Sequence, residues 1–167
     1  RPCPLQPSWM TEPFRFQQGD AFLAYVAGFF DGEGCVSVDR PTSVTRAARS
    51  VGTNPHRLRT VVANTDNRPL LLFQRLWGGA IRANIKGRHK KPCYQWYLSA
   101  AKAGPFLQAI VKHAIVKREQ IELGLQFLCT VGPRGRGNTR LSQATLVERE
   151  RIRNELRRLK TDGRQLN

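Results

Sequence analysis

The stretch Val26-Ala27-Gly28-Phe29-Phe30-Asp31-Gly32-Glu33-Gly34 has features that an ordinary helix end lacks. Asp20 reads as the cap of a helix running from Ala21 to about Asp31, with glycines beyond it as stop signals. Phe22, Leu23, Val26, Phe29 and Phe30 wrap most of the circumference, which predicts burial on more than one side. Asp31 and Glu33 fall at the C-terminal end, where the helix dipole disfavours an acid by a few tenths to ~1 kcal/mol each. A bound divalent cation would reverse that sign. Ala24 and Gly28, one turn apart with Ala27 beside them, form a strip of small residues along which a second backbone can approach closely. Two such helices side by side bring two acids together.

Outward from this stretch, Cys35 to Arg40 alternates Val36 and Val38 with Ser37 and Asp39, the pattern of a half-buried strand. A polar, Arg-bearing connection follows from Pro41 to about His56. Leu58 to Ala63 reads as a second strand, with Leu58, Thr60 and Val62 on one face. Asn64-Thr65-Asp66 supplies capping residues for a short helix through Leu70–Trp77, closed by Gly78-Gly79. Ala80 to Lys86 alternates Ile81, Ala83 and Ile85 with Arg82, Asn84 and Lys86. Tyr94 to Ser99 sets Gln95 and Tyr97 opposite Tyr94, Trp96 and Leu98. Pro105 suits the first position of a helix, and another runs from about Lys117 to Leu128. The last, Ser142 to Leu159, carries a Thr145-x-x-Glu148 capping box. The order α, β, β, α, β, β, α, α, α suggests two successive αββ units. Residues 1–19, with Pro2, Pro4, Pro7 and Pro13, read as an extended lead-in, and residues 20–167 as one domain.

The 167 residues hold 28 Lys and Arg against 12 Asp and Glu, a net charge of +16. Such an excess repels itself unless a polyanion neutralises it, and nucleic acid is the commonest. Apolar residues are 40% of the chain, which excludes a disordered tail. The longest apolar run, Ala21 to Phe30, is far short of the ~20 residues that cross a bilayer, so no membrane is expected as partner. Cys3, Cys35, Cys93 and Cys129 form no paired spacing, and neither do His56, His89 and His113, so structural zinc is not expected. Free thiols and the lack of a secretory-signal pattern suit a reducing, intracellular compartment.

VAGFFDGEG resembles the LAGLIDADG motif, and over about residues 20–130 the chain resembles a single-motif LAGLIDADG homing endonuclease in motif, element order and spacing. It keeps the Ala-Gly pair, the Asp-Gly step and the terminal acid-Gly, with Glu33 where Asp is commoner. The resemblance implies an α+β fold: an αββαββα core with an antiparallel four-stranded DNA-binding sheet and extra C-terminal helices. With one motif per chain it implies a homodimer, and Ala24, Ala27, Gly28 and Asp31 are expected at its interface. It also implies an intron-encoded, sequence-specific endonuclease with no small-molecule substrate. Such an enzyme hydrolyses both strands of a long, pseudo-palindromic double-stranded DNA site and leaves 3′ overhangs.

By the same resemblance Glu33 matches the metal-coordinating acid, with Gly32 beside it at the metal. Mg²⁺ is the ion implied, and Mn²⁺ or Ca²⁺ can occupy such sites; hard oxygen ligands suit these ions. Asp31 matches an acid whose role is structural at the helix end. Lys117, in Ala114-Ile115-Val116-Lys117-Arg118-Glu119-Gln120, matches a lysine near the scissile phosphate, where its charge polarises water or stabilises the developing phosphorane. Asp66 sits where the family places a polar residue of the water pocket, and a plain helix cap is the equal alternative. Ser37, Asp39, Arg57, Arg59, Arg82, Asn84, Lys86, Gln95 and Tyr97 are expected to face the major groove, where Arg reads guanine and Asn or Gln reads adenine. Arg46, Arg49, Lys90, Lys91, Arg134 and Arg136 suit phosphate contacts from loops. The basic last helix suits either backbone contact or a solubilising face.

Two rivals remain at this level. One is an RNA maturase, or a non-cleaving DNA- or RNA-binding protein of the same fold. The other is a structural RNA- or ribosome-binding protein whose charge is merely electrostatic, which leaves the nine-residue motif as coincidence. Organellar and bacterial compartments both fit the sequence.

Overall fold

The computed structural model describes residues 19–40, 56–84, 91–131 and 141–165. Its elements are α1 (Asp20–Glu33), β1 (Gly34–Asp39), β2 (Arg57–Asn64), α2 (Arg68–Trp77), β3 (Ala80–Asn84), β4 (Cys93–Leu98), α3 (Ala100–Ile110), α4 (Arg118–Cys129) and α5 (Gln143–Gln165). The strands form one antiparallel sheet in the order β1-β2-β4-β3. This is an α+β architecture with four strands and five helices among the described residues.

Alternation along the strands decides which face is covered, because successive side chains point to opposite sides. Val36 pairs with Thr60, Val38 with Leu58, and Gly34 with Val62. Val62 in turn faces Trp96, and Thr60 faces Leu98. All of these are buried. Helices α1, α3 and α4 lie on that face, so Val26, Phe30, Phe106, Leu107, Ile110, Ile121 and Phe127 join the strands in one cluster. Aromatic rings run through it: Phe29–Phe73 at 5.4 Å, Phe73–Trp96 at 5.6 Å, Trp96–Phe106 at 5.1 Å and Phe106–Phe30 at 5.5 Å between centroids. Each such pair adds about 0.5–1.5 kcal/mol beyond the area it buries. The indole N–H of Trp96 is satisfied by the Gly78 carbonyl at 2.8 Å. Gly79, at φ 92°, passes so close that a Cβ there would lie 2.5 Å from the Tyr97 carbonyl oxygen.

The structure departs from the sequence expectations at several boundaries. Gly19, not Asp20, caps α1, and the helix runs through Gly32 to Glu33 before turning directly into β1. The buried positions of α1 are Leu23, Val26, Ala27 and Phe30, a single broad face, while Ala24, Tyr25 and Gly28 are exposed. Pro105 lies inside α3 instead of opening it. Ser99, six residues before Pro105, caps the helix, its carbonyl accepting from Lys102 and Ala103, so Pro105 falls where it removes one backbone hydrogen bond and crowds the carbonyl four residues back. Ser142, not Thr145, caps α5, its hydroxyl accepting the Thr145 N–H at 3.1 Å. That helix also continues past Leu159 to Gln165. It packs on α4 and along edge strand β1, where Glu150 bonds His56 at 2.8 Å and Arg153 at 2.6 Å. Residues 1–18 and the expected contacts Arg46, Arg49, Lys86, Lys90, Arg134 and Arg136, with His89, lie outside the described residues.

Candidate functional site

The two motif acids part ways at the C-terminal end of α1. Asp31 turns its carboxylate onto the segment that leads into α4. Oδ2 accepts the backbone N–H of Ile115 at 2.8 Å and Val116 at 3.1 Å, and Oδ1 accepts that of Lys117 at 2.9 Å. Lys117 completes the exchange, its Nζ donating to the carbonyls of Phe30, at 3.2 Å, and Asp31. A carboxylate thus sits at the positive pole of α4 and an ammonium at the negative pole of α1, each favourable. The unfavourable dipole placement expected for Asp31 is offset by the Lys117 ammonium and by the three N–H groups that its carboxylate accepts. Burial pushes the Lys117 pKa down, against the opposing charges of Asp31, Cys35 and Glu33.

Glu33 is exposed and makes no hydrogen bond or ion pair among the described residues. It stays at the negative pole of α1 with only Lys117 to offset it. A hard-oxygen ligand of this kind, with the backbone of Gly32 beside it and open space around it, fits a divalent cation. Among the described residues no three of His, Cys, Asp or Glu come together. Gly34 pairs with Val62, which sets the α1–β1 junction and the β2–α2 turn at the same end of the sheet. Asp66 lies in that turn, but its carboxylate is taken by Arg68: Oδ1 accepts the Arg68 N–H at 2.9 Å and both oxygens bond the guanidinium. Those bonds lower its pKa to about 2. The Asn64 side chain accepts the Asp66 N–H at 2.8 Å, so the pair builds the turn into α2.

On the sheet face away from the helices the register brings Ser37 opposite Arg59 and Asp39 opposite Arg57. On the other half, Arg82 stands opposite Gln95, and Asn84 opposite Cys93. Tyr97 is the hub. Arg59 lies over its ring at 5.2 Å and Arg82 at 5.7 Å, while its hydroxyl donates to Gln95 Oε1. Asp39 stands 3.7 Å from Arg59. Ser37, Asp39, Arg57, Arg59, Arg82, Gln95 and Tyr97 therefore share one face, while Lys86 and the side chain of Asn84 lie outside the description.

The small-residue strip differs from expectation. Ala24 and Gly28 are exposed, and a Cβ added at Gly28 or Gly32 meets nothing within 4 Å. Ala27 is fully buried in the chain's own core, because it shares the face of Leu23, Val26 and Phe30. Asp31 likewise faces its own chain. Large apolar side chains left exposed among the described residues are Tyr25 on α1, Leu71 on α2, Ile115 (83%) and Val116 (75%) beside Asp31, Val131 after α4 and Val147 on α5. The last helix is less free than its composition implied: Arg149 is buried, bonding Thr130 Oγ1 at 2.7 Å and its carbonyl at 2.6 Å. Arg151, Arg153 and Arg158 each pair with the glutamate three residues before. Sequence reading missed Lys160, whose Nζ reaches Cys35 Sγ at 3.1 Å; a contact between residues so distant in the chain has no local signal.

No protein-family model matches the chain, and no curated protein matches it in sequence. Solved structures do match. The homing endonuclease I-CvuI, crystallised with DNA in the presence of Ca, is 19% identical with a TM-score of 0.62 over 82% of this chain and 80% of that one. The archaeal intron-encoded homing endonuclease I-Vdi141I, complexed with DNA, is 19% identical with a TM-score of 0.65 over 84% of each chain. The LAGLIDADG homing endonuclease I-GzeII, in complex with its DNA target, aligns over 78% of this chain with a TM-score of 0.56 at 14% identity. The chain has the LAGLIDADG homing-endonuclease fold. This chain covers 43% of I-GzeII. Among the described residues no helix is long and apolar enough to cross a membrane.

Proposed function

We propose that this chain is a metal-dependent, sequence-specific DNA endonuclease that works as a homodimer of α1 helices. The observation that supports it most is Glu33: an exposed carboxylate with no partner among the described residues, at the end of a helix whose outer strip is Ala24, Gly28 and Gly32. Tyr25 on the same helix, and Ile115 and Val116 held at its end by Asp31, add apolar surface that a second copy would cover. I-GzeII, more than twice the length aligned, suits an architecture of two such units. Paired α1 helices bring two Glu33 carboxylates close enough to share divalent cations. Such ions, bound there, lower the pKa of water and neutralise developing charge on phosphate oxygens. Mg²⁺ is the ion proposed.

The chain's own residues do the rest. The polar sheet face enters the major groove, with Arg59, Arg82 and Gln95 positioned around Tyr97 to meet base edges. The Asp31–Lys117 exchange fixes the end of α1, which holds Glu33 in place and keeps an ammonium beside it for the phosphate charge. Asp66, bonded to Arg68, positions the turn into α2.

The test offers the purified protein a partly palindromic randomised duplex library with Mg²⁺ or with EDTA and sequences the ends. Discrete cuts with fixed 3′ overhangs, only with Mg²⁺, are expected. Retention of particular duplexes without cutting would point instead to a non-cleaving binder of this fold. Enrichment of structured RNA alone would favour a maturase.

A further inference from the structure

At edge strand β3 the surface folds into an open notch of about 390 Å³, lined by Gly79, Ala80, Arg82, Tyr97, Ser99 and Lys102 together with Leu98. We propose that this notch is a phosphodiester-binding site that anchors the DNA backbone, with Lys102 as its cation; the proposal rests on the DNA-binding reading above. Lys102 stands in the first turn of α3 and lies across the β-turn before β3. A Cβ on Gly78 would fall 2.8 Å from its Nζ, so the missing side chain at Gly78 is what lets the lysine reach the notch. Arg82 forms the wall between notch and reading face, stacked on Tyr97 at 5.7 Å. No carboxylate lines the notch, and neither Arg82 nor Lys102 has an ion pair among the described residues. Two uncompensated cations in a concavity focus positive potential where an anion would sit.

Dimensions indicate which anion. Three inter-strand spacings of about 4.8 Å make the sheet about 14 Å wide, against a major groove about 12 Å wide. A duplex whose base edges face Tyr97 and Gln95 therefore brings a phosphate wall against edge strand β3, where the notch opens. Arg59 and Asp39 stand on the inner strand and the opposite edge, away from that wall. Lys102 thus positions the duplex and reads no base.

The experiment measures binding of the full chain to mixed-sequence duplex DNA over a range of salt concentration. Lys102→Ala is compared with wild type, Lys102→Arg and Lys112→Ala. Lys112 is an exposed lysine already paired with Asp20 at 2.6 Å and serves as the charge-matched control. Each phosphate neutralised steepens the slope of log K against log salt by about 0.9. Lys102→Ala is expected to make that slope shallower by about one and to weaken all sequences alike. Lys102→Arg should restore it, and Lys112→Ala should leave it unchanged. An unchanged slope in Lys102→Ala, with wild type binding normally, overturns the notch alone. A lost preference at one base position overturns it too, making Lys102 a base reader. If wild type itself fails to bind duplex DNA, the endonuclease reading falls and takes the notch with it.

Discussion

Asp31 and Glu33 are two residues apart and differ by one methylene, yet their surroundings give them opposite tasks. Asp31 holds three backbone N–H groups of the segment before α4, bonds that are worth more for being charge-assisted. Asp31→Ala should lower unfolding free energy by about 2–3 kcal/mol, seen as an earlier urea midpoint. Glu33→Gln should leave that midpoint in place, because no described residue bonds its carboxylate, while cleavage falls to below about a hundredth of wild type. A Glu33→Gln protein that cuts normally would remove the metal assignment. Asp66 makes a third contrast. Its carboxyl is depressed from 3.8 to about 2 by Arg68, so its contribution is complete above the unfolded value and vanishes as pH falls through the folded one. The stability gap between wild type and Asp66→Asn should be constant above pH 5, then close as pH drops from about 4 to about 2. A gap that persists in acid would break that linkage. The sequence marks both motif acids as misplaced on a helix dipole, but only tertiary contact separates them: the partner segment of Asp31 lies more than eighty residues on.

At the scale of elements, the strands were legible because period-two alternation survives on each of them. Thr60, Val62, Trp96 and Leu98 turn inward as their spacing requires. Helix ends were less so. Pro105 and Thr145 both carry strong local signals for a helix start, and in each case a serine upstream, Ser99 or Ser142, begins the helix first. Arg149 lies on a helix whose composition suits a solvated basic face, whereas its partners, Phe127 in α4 and Thr130 at that helix's end, leave no mark on local spacing. The last glycine of the motif is legible only in part, since its spacing announces a turn and its packing gives the reason. Gly34 has ordinary extended backbone, φ −83° and ψ 161°, so conformational freedom is not what it supplies. A Cβ there would stand 2.3 Å from the Phe30 ring and 2.5 Å from its carbonyl oxygen. Gly34→Ala should therefore cost about 3 kcal/mol by overpacking, readable as loss of chemical-denaturation stability. A neutral effect would mean that the α1–β1 turn can open without penalty.

For the whole molecule the question is what covers α1. One face of the helix is fully packed and the other presents Ala24, Tyr25, Gly28 and Gly32 to solvent, with Ile115 and Val116 exposed at its end. Gly28 separates the two demands on this helix. A side chain there meets nothing within 4 Å in the single chain, and leucine is a better helix former than glycine by about 0.8 kcal/mol. Folding of the isolated chain therefore gives no reason for glycine at position 28, whereas close approach of a second α1 does. Gly28→Leu should sediment as a monomer and lose cleavage, since each particle then holds one Glu33. Its thermal midpoint at high dilution should equal or exceed that of wild type. Wild type should instead melt at temperatures that rise with protein concentration, because association stabilises only the folded chain. A Gly28→Leu protein that remains fully dimeric would show that α1 is covered by something other than its own copy, and Glu33 would lose the partner on which its proposed chemistry depends.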